Sequence, residues 1–264
     1  MLDRGIRYYA EKNGGNDFIF NEISSTLAKN DLVVANLEGP ITPEKSISIL
    51  TKPGETNNYF FTFNPSWAET LYKNNIRIVS LGNNHILNFG REGLKSTKYY
   101  LDKANIGYFG APDYPKSVSK EIGGVRITFI NYNEFSAIGE LEELATIEEI
   151  EKAKEFSDII IVYSHWGIEY IYDPPEYIKS LAREFIDAGA DLVIGSHPHV
   201  IEPSEDYKGK KIYYSLGNFI FDQYFSQEVR NGMGVEVLIN RDTKTMSFSE
   251  ISFYLQNNGQ TIIK

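Results

Sequence analysis

The chain has 264 residues, is 42% hydrophobic and 23% charged, and carries a formal net charge of −10. That balance is ordinary for a globular α/β protein and argues against a nucleic-acid backbone or an anionic membrane as main partner. There is no cysteine, which excludes disulfides, thiolate zinc sites and cysteine nucleophiles. No apolar run approaches the roughly 20 residues of a membrane span, and Met1-Leu-Asp-Arg-Gly does not read as a signal peptide. One domain over residues 1–264 accommodates this length.

In chain order, Phe18–Lys29 reads as a helix and Leu32–Leu37 as a β-branched strand. Thr42–Thr62 is polar and holds Pro43, Pro53 and Gly54, the composition of a long loop near a site. Helix Pro65–Asn74 follows, with Asn64 as its cap and Pro65 in its first turn. Next come strand Ile76–Leu81, helix Glu92–Ala104 and strand Val125–Tyr132. Glu134–Thr146 is acidic and expected to be solvated, with a helix at Ile147–Glu155. Strand Asp158–Ser164 leads to helix Pro175–Ala188, started by Asp173-Pro-Pro-Glu176 and stopped by Gly189. Leu192–Ile194 and Lys211–Leu216 are strands, and Gly234–Ile239 with Met246–Leu255 forms a hairpin around Asn240–Thr245. Most of these strands are apolar on both faces, as in buried parallel sheets. Parallel strands first and antiparallel strands last fit two sheets between helices.

All four histidines fall in three motifs just past strand-like runs. His85 closes Asn83-Asn84-His85, His165 opens His165-Trp166-Gly167, and His197 and His199 flank Pro198 in Gly195-Ser-His-Pro-His199. Strand ends are where α/β folds place their sites, and imidazole is the commonest metal ligand and the readiest acid or base near neutral pH. An asparagine oxygen such as that of Asn84 can coordinate a hard or borderline metal, and His85 beside it can donate a proton. Glu38, in Asn36-Leu-Glu38-Gly-Pro40, is a carboxylate at another strand exit that can bridge metals; taken alone it reads as a turn-capping acid. Trp166 reads as wall or core, and Glu169 is a candidate to orient a ligand. Asn218 and Asp222 follow a further strand and either contact substrate, brace the metal loops or form a turn. Singly these signals are turn or packing residues. Together they make an N/O donor set suited to Mn, Fe, Zn or Co and unsuited to thiophilic metals. So acidic a chain needs such metals, or a local cationic patch, to bind an anionic small-molecule or polymer substrate.

Asn36-Leu-Glu38-Gly-Pro40, Asn83-Asn-His85, His165-Trp-Gly167, Gly195-Ser-His-Pro-His199 and Tyr214-Ser-Leu-Gly-Asn-Phe219 resemble, in order, the CapA family of poly-γ-glutamate capsule synthesis proteins. That family is a branch of the calcineurin-like metallophosphoesterases. The resemblance implies a four-layer α/β/β/α sandwich with one or two divalent ions at strand ends. It implies that Asn84, His165 and His197 hold one metal, that His199 holds the other, that Glu38 bridges them, and that His85 gives a proton. It places Asn36 and Asn83 among substrate-binding or bracing residues. Two departures stand out. The family opens with a strand ending in Gly-Asp ahead of a segment like Met1-Leu-Asp-Arg-Gly, so the sandwich is expected to lack its first strand. Asn88 stands where the family often has aspartate. The resemblance also implies capsule-synthesis components as partners, and a cell-surface or membrane-associated place through a segment ahead of Met1, or otherwise the cytoplasm.

Three functions follow. The first is metal-dependent phosphoester hydrolysis. The second is action on a γ-glutamyl polymer, which only the family name suggests. The third is a non-catalytic assembly component with a degenerate metal site.

Overall fold

The computed structural model of the protein describes residues 1–49, 51–113 and 115–264. Leu50, inside the expected 42–62 loop, lies outside the described residues. Three apolar clusters divide the molecule into four layers, which is the expected sandwich. In the first, helices pack on a parallel sheet of β1 (Val33–Asn36), β2 (Ile76–Ser80) and β3 (Gly107–Phe109), in that order. Those helices include α1 (Arg4–Lys12), α2 (Asp17–Phe20), α3 (Ser24–Leu27), α4 (Ser66–Lys73) and α5 (Gly90–Lys103).

The second sheet has the order β4-β5-β6-β7-β9-β8, with β4 at Ser117–Ile122, β5 at Val125–Asn133, β6 at Ile159–His165, β7 at Leu192–Ser196, β8 at Ser204–Tyr207 and β9 at Lys210–Tyr213. Its four inner strands run parallel and its two edges antiparallel. Helices α6 (Leu141–Ala153) and α7 (Glu176–Ala188) cover its outer face, with Trp166 and Phe185 stacked at 6.3 Å. After the short helix α8 (Gln227–Arg230), β10 (Asn231–Ile239), β11 (Met246–Leu255) and β12 (Thr261–Ile263) form an antiparallel sheet. The half-buried Met233, Val235, Val237 and Ile239 of β10 pack between the two sheets.

Local signals explain most boundaries. The Asn64 carboxamide accepts from the Ser66 amide at 3.0 Å at the start of α4. Gly189, at φ 129°, ends α7: its amide and that of Ala190 close on Ile186 and Phe185 carbonyls at 3.0 and 2.9 Å. Two readings are corrected. The helix expected over Phe18–Lys29 is two short ones, because Ser24-Ser-Thr26 favours turns and because Phe20 and Ile23 both point inward across the break. Glu134–Thr146 is not all solvated, since α6 starts at Leu141 and buries Glu142 against the Lys116 ammonium. The N-terminal helix α1 and the short strands β3, β4, β8 and β12 went unread, being too short or too polar for a periodic signal.

Among the described residues β1 pairs only with β2, and β10 pairs along its length with β11, while its Gly232 also bridges Gly217. Their other edges border one cavity of about 880 Å³ between the layers, which reaches Glu38, His197 and His199 at one end.

Candidate metal centre

The strand exits do converge. Glu38 lies two residues past β1, Asn84 follows β2, His165 is the last residue of β6, and His197 comes just after β7. Ligand atoms of Glu38, His165 and His197 all lie within 4.8 Å of one another, and all three side chains are buried. This is the one such group among the described residues. His165 Nε2 is 3.0 Å from the Asn84 oxygen and 3.7 Å from Glu38 Oε1. The His165 and His197 rings are 4.9 Å apart.

Supporting contacts fix each member. Asn36 donates to Glu38 Oε2 at 3.0 Å, and Asn83 donates to the Asn36 oxygen at 3.1 Å and to the Leu37 carbonyl at 3.0 Å. The two asparagines thus orient the carboxylate. Ser196 Oγ lies 3.1 Å from His165 Nδ1 and donates to the Ser164 carbonyl, which leaves Nε2 as the nitrogen facing Asn84 and Glu38. His197 and His199 both adopt left-handed φ, 103° and 60°, a costly conformation that persists where surrounding structure imposes it. Gly195 is required just before them: a Cβ there would fall 1.8 Å from the Tyr214 carbonyl oxygen. That close approach lets Trp166 Nε1 donate to the same carbonyl at 2.9 Å, and Trp166 is core, as read.

His199 stands outside the group of three. Its Nδ1 meets the Asn218 oxygen at 2.8 Å, and Asn218 is itself tied to the His199 and Val229 carbonyls. His85 also stands apart. Its Nδ1 faces the Asn88 oxygen at 3.2 Å, and its ring meets the edge of Phe61 at 4.8 Å. Asn88 in turn accepts from the Phe61 amide at 2.9 Å. Asp222 is not against the histidines; it accepts from Arg4 Nε at 3.1 Å and from the Gly5 amide at 2.9 Å. Glu169 is exposed on the rim, and Glu134, not Glu169, fastens the loop after β6 by accepting from the Gly167 amide at 2.6 Å.

Electrostatics favour neutral imidazoles. Burial, with neighbouring histidines adding, holds His165 well below its ordinary pKa and lowers His197 to about 3. Burial lowers His199 too, and lowers His85 against the opposing pull of Glu38. Burial raises Glu38, opposed by His85 and the Met1 amino group. Glu38 Oε1 and His197 Nδ1 are buried with no hydrogen-bond partner. Orphaned buried polar atoms are rare in native proteins and call for an explanation such as an ion. Two neutral imidazoles, a carboxylate and an amide oxygen fit a borderline divalent cation.

Phe135, Ser196 and Arg4 were missed in the sequence. Phe135 packs on the His197 ring at 4.4 Å, and the Arg4 guanidinium sits 5.1 and 5.0 Å from the Phe61 and Phe221 rings. Nothing in a strand-exit pattern marks Phe135, in a loop, or Arg4, on a helix, whereas Ser196 ends β7 inside the Gly195-Ser-His-Pro-His199 motif.

A profile of the family described as bacterial capsule synthesis protein PGA_cap matches residues 1–223. The chain is 32% identical over 275 aligned positions to the PGA biosynthesis protein CapA of Bacillus subtilis (strain 168), covering 98% of this chain and 66% of that protein. It is 28% identical over 282 positions to the capsule biosynthesis protein CapA of Bacillus anthracis, covering 100% and 64%. The chain therefore spans just under two thirds of the length of these relatives. Among solved structures it is similar to a hypothetical protein from Thermus thermophilus, with a TM-score of 0.57 and 15% identity over 90% of this chain and 93% of that one. It is also similar to the sulfate thiohydrolase SoxB of the same organism, with a TM-score of 0.51 and 14% identity over 88% and 41%. At such identities the structural likeness speaks for the fold alone. By the profile match and the Bacillus relatives, the chain belongs to the bacterial capsule synthesis PGA_cap family, on the calcineurin-like metallophosphoesterase fold.

Proposed function

We propose that the chain is a metal-dependent phosphoester hydrolase that serves capsule or poly-γ-glutamate synthesis. The observation that carries this reading is the pair of orphaned atoms, Glu38 Oε1 and His197 Nδ1, inside the buried group that also holds His165. Glu38, His165, His197 and the Asn84 oxygen would hold one divalent ion of the Mn, Fe, Zn or Co class. Such an ion supplies Lewis-acid polarisation of a phosphoryl oxygen and activation of water.

The chain's own residues do the rest. Asn36 and Asn83 hold the Glu38 carboxylate in place. With Nδ1 toward the Asn88 oxygen, His85 keeps Nε2 as its free ring nitrogen. An anionic phosphoryl group brought beside that ring raises its pKa, which favours proton delivery to the leaving oxygen. Phe61 and Phe135 wall the histidines and exclude water on those sides. The names of the Bacillus relatives support a substrate or partner in capsule synthesis.

The test pairs metal analysis with turnover. Purified protein is expected to hold about one transition metal per chain, to hydrolyse aryl phosphate mono- or diesters with Mn²⁺, and to lose both properties in His197→Ala. Full metal content with no turnover of either ester would end the hydrolase reading. It would favour the assembly-component reading, which the position of His199 outside the group already supports.

A further inference from the structure

Beside the histidines, two aromatic rings form a corner open to solvent. Tyr170 lies against His199, with ring centres 6.1 Å apart and planes at 29°. Phe225 meets Tyr170 at 5.4 Å and 83°, so their faces stand nearly at right angles. Both rings are exposed, Phe225 at 68%. Ring centres step 4.9 Å from His165 to His197, 6.0 Å on to His199 and 6.1 Å on to Tyr170. The corner is thus two ring spacings beyond the buried group of three.

Tyr170 is fixed in this place. Its φ is 65°, a conformation that a tyrosine keeps only where the surroundings impose it. Its amide donates to the Pro198 carbonyl at 2.8 Å, and its hydroxyl accepts from Gln223 Nε2 at 2.8 Å. The Gln223 oxygen in turn accepts at 3.1 Å from Asn218, the residue that meets His199. Both ends of Tyr170 are therefore tied to the segments that hold His199.

Charge at the corner is negative. Burial, with the Glu169 carboxylate adding, pushes the Tyr170 phenol up to about 12. The same carboxylate acts on Glu38 and His199. Among the described residues no lysine or arginine pairs with Glu169. Arg4, whose charge also reaches His199, is answered by Asp222 and Asn58. An anion is repelled here, and an uncharged apolar group leaves Glu169 without a counterion. A flat ring can stack on one face of the corner but not on both. A rounded cation touches both faces and the carboxylate together, and ring quadrupoles attract a cation within about 6 Å of their centroids.

We propose that Tyr170, Phe225 and Glu169 bind a substituted ammonium on the alcohol half of the substrate, which is then a phosphoester of a short amino alcohol. The ammonium site stands on ring geometry and charge, whereas the phosphoester half rests on the hydrolase reading above. The short reach from His197 through His199 to Tyr170 sets the length of the alcohol. The positive charge of such an ester also offsets the repulsion between its phosphoryl group and a chain of net charge −10.

The test is binding to the full chain, by ligand-observed NMR and calorimetry, of two matched pairs. The first is choline and its uncharged isostere 3,3-dimethylbutan-1-ol, without added metal. The second is phosphocholine and 3,3-dimethylbutyl phosphate, with Mn²⁺. In each pair the cation should bind at least about fivefold more tightly. Glu169→Gln and Phe225→Leu, both at exposed positions, should bring the two ratios close to one. No choline binding, a ratio near one in the wild type, or a ratio that neither substitution moves overturns the ammonium site. Selectivity in the choline pair alone overturns the amino-alcohol phosphoester. Aryl phosphate turnover separates the two readings. Choline selectivity without turnover ends the hydrolase reading and keeps the ammonium site, and turnover without selectivity does the reverse.

Discussion

Glu202 is a buried acid outside the group of three, at 3% exposure and with Oε2 unpartnered. Burial raises its pKa to about 7, Asp173 adds to the rise, and Lys179 opposes it. The folded state thus holds a proton that the unfolded chain releases near pH 4.5. A raised carboxyl pKa contributes stability in full below the unfolded value, and this is lost as pH climbs through the folded one. The share of stability due to Glu202 should therefore fall between about pH 5 and 8. Glu202→Gln, which fixes the neutral form, should flatten that slope and gain on the order of 2 kcal/mol at pH 8. Urea titrations at several pH values check this; parallel curves for wild type and variant would refute it. At this same scale the strand-exit histidines were legible because imidazole is scarce and its placement was not scattered. The Asn36–Glu38 and His199–Asn218 contacts were not, because each depends on rotamers that spacing does not set.

Helix α1 holds the loop over the site at three points. The Asp3 carboxylate accepts from Ser48 Oγ at 3.0 Å and from the Thr62 amide at 2.9 Å, and pairs with Arg7 at 2.9 Å. Arg4 donates to the Asn58 oxygen at 2.7 Å, and Arg7 to the Thr62 carbonyl at 2.5 Å. Asp3→Ala leaves a largely buried guanidinium and two donors without their acceptor, which should cost about 3–5 kcal/mol. It should also make residues 42–62 the first site of limited proteolysis, read by mass spectrometry of the early fragments. First cleavage elsewhere would show that other contacts secure the loop. The loop itself was readable from its prolines and polarity, whereas its anchor was not, since a nine-residue helix is shorter than the window over which a helical period is read. The β10–β11 hairpin was legible for the opposite reason. Its turn chemistry is local, with the Asn240 oxygen accepting from the Asp242 and Thr243 amides at 2.9 and 3.0 Å. The start of α6 was hidden because Glu142 and Glu143 look solvated in sequence, although acids suit a helix's first turn.

Across the whole molecule, the alternation of strands and helices was enough to anticipate four layers, because each sheet must cover both faces. The cavity between β1 and β10 is bordered by strand edges whose place is defined only once the pairings are known. Net charge acts at this scale as well. A field from −10 charges repels an anionic substrate before any site contact forms. The Debye length shrinks from about 30 Å at 0.01 M salt to about 10 Å at 0.1 M, so added salt should lift that repulsion. If the hydrolase reading holds, kcat/KM for a dianionic aryl phosphate should rise with ionic strength. A monoanionic diester should respond about half as steeply, since the long-range term scales with substrate charge. The measurement is initial rates across a salt series at fixed metal concentration. A fall in kcat/KM with salt would mean that local cations, Arg4 and the bound ion among them, outweigh the global field at the mouth of the site.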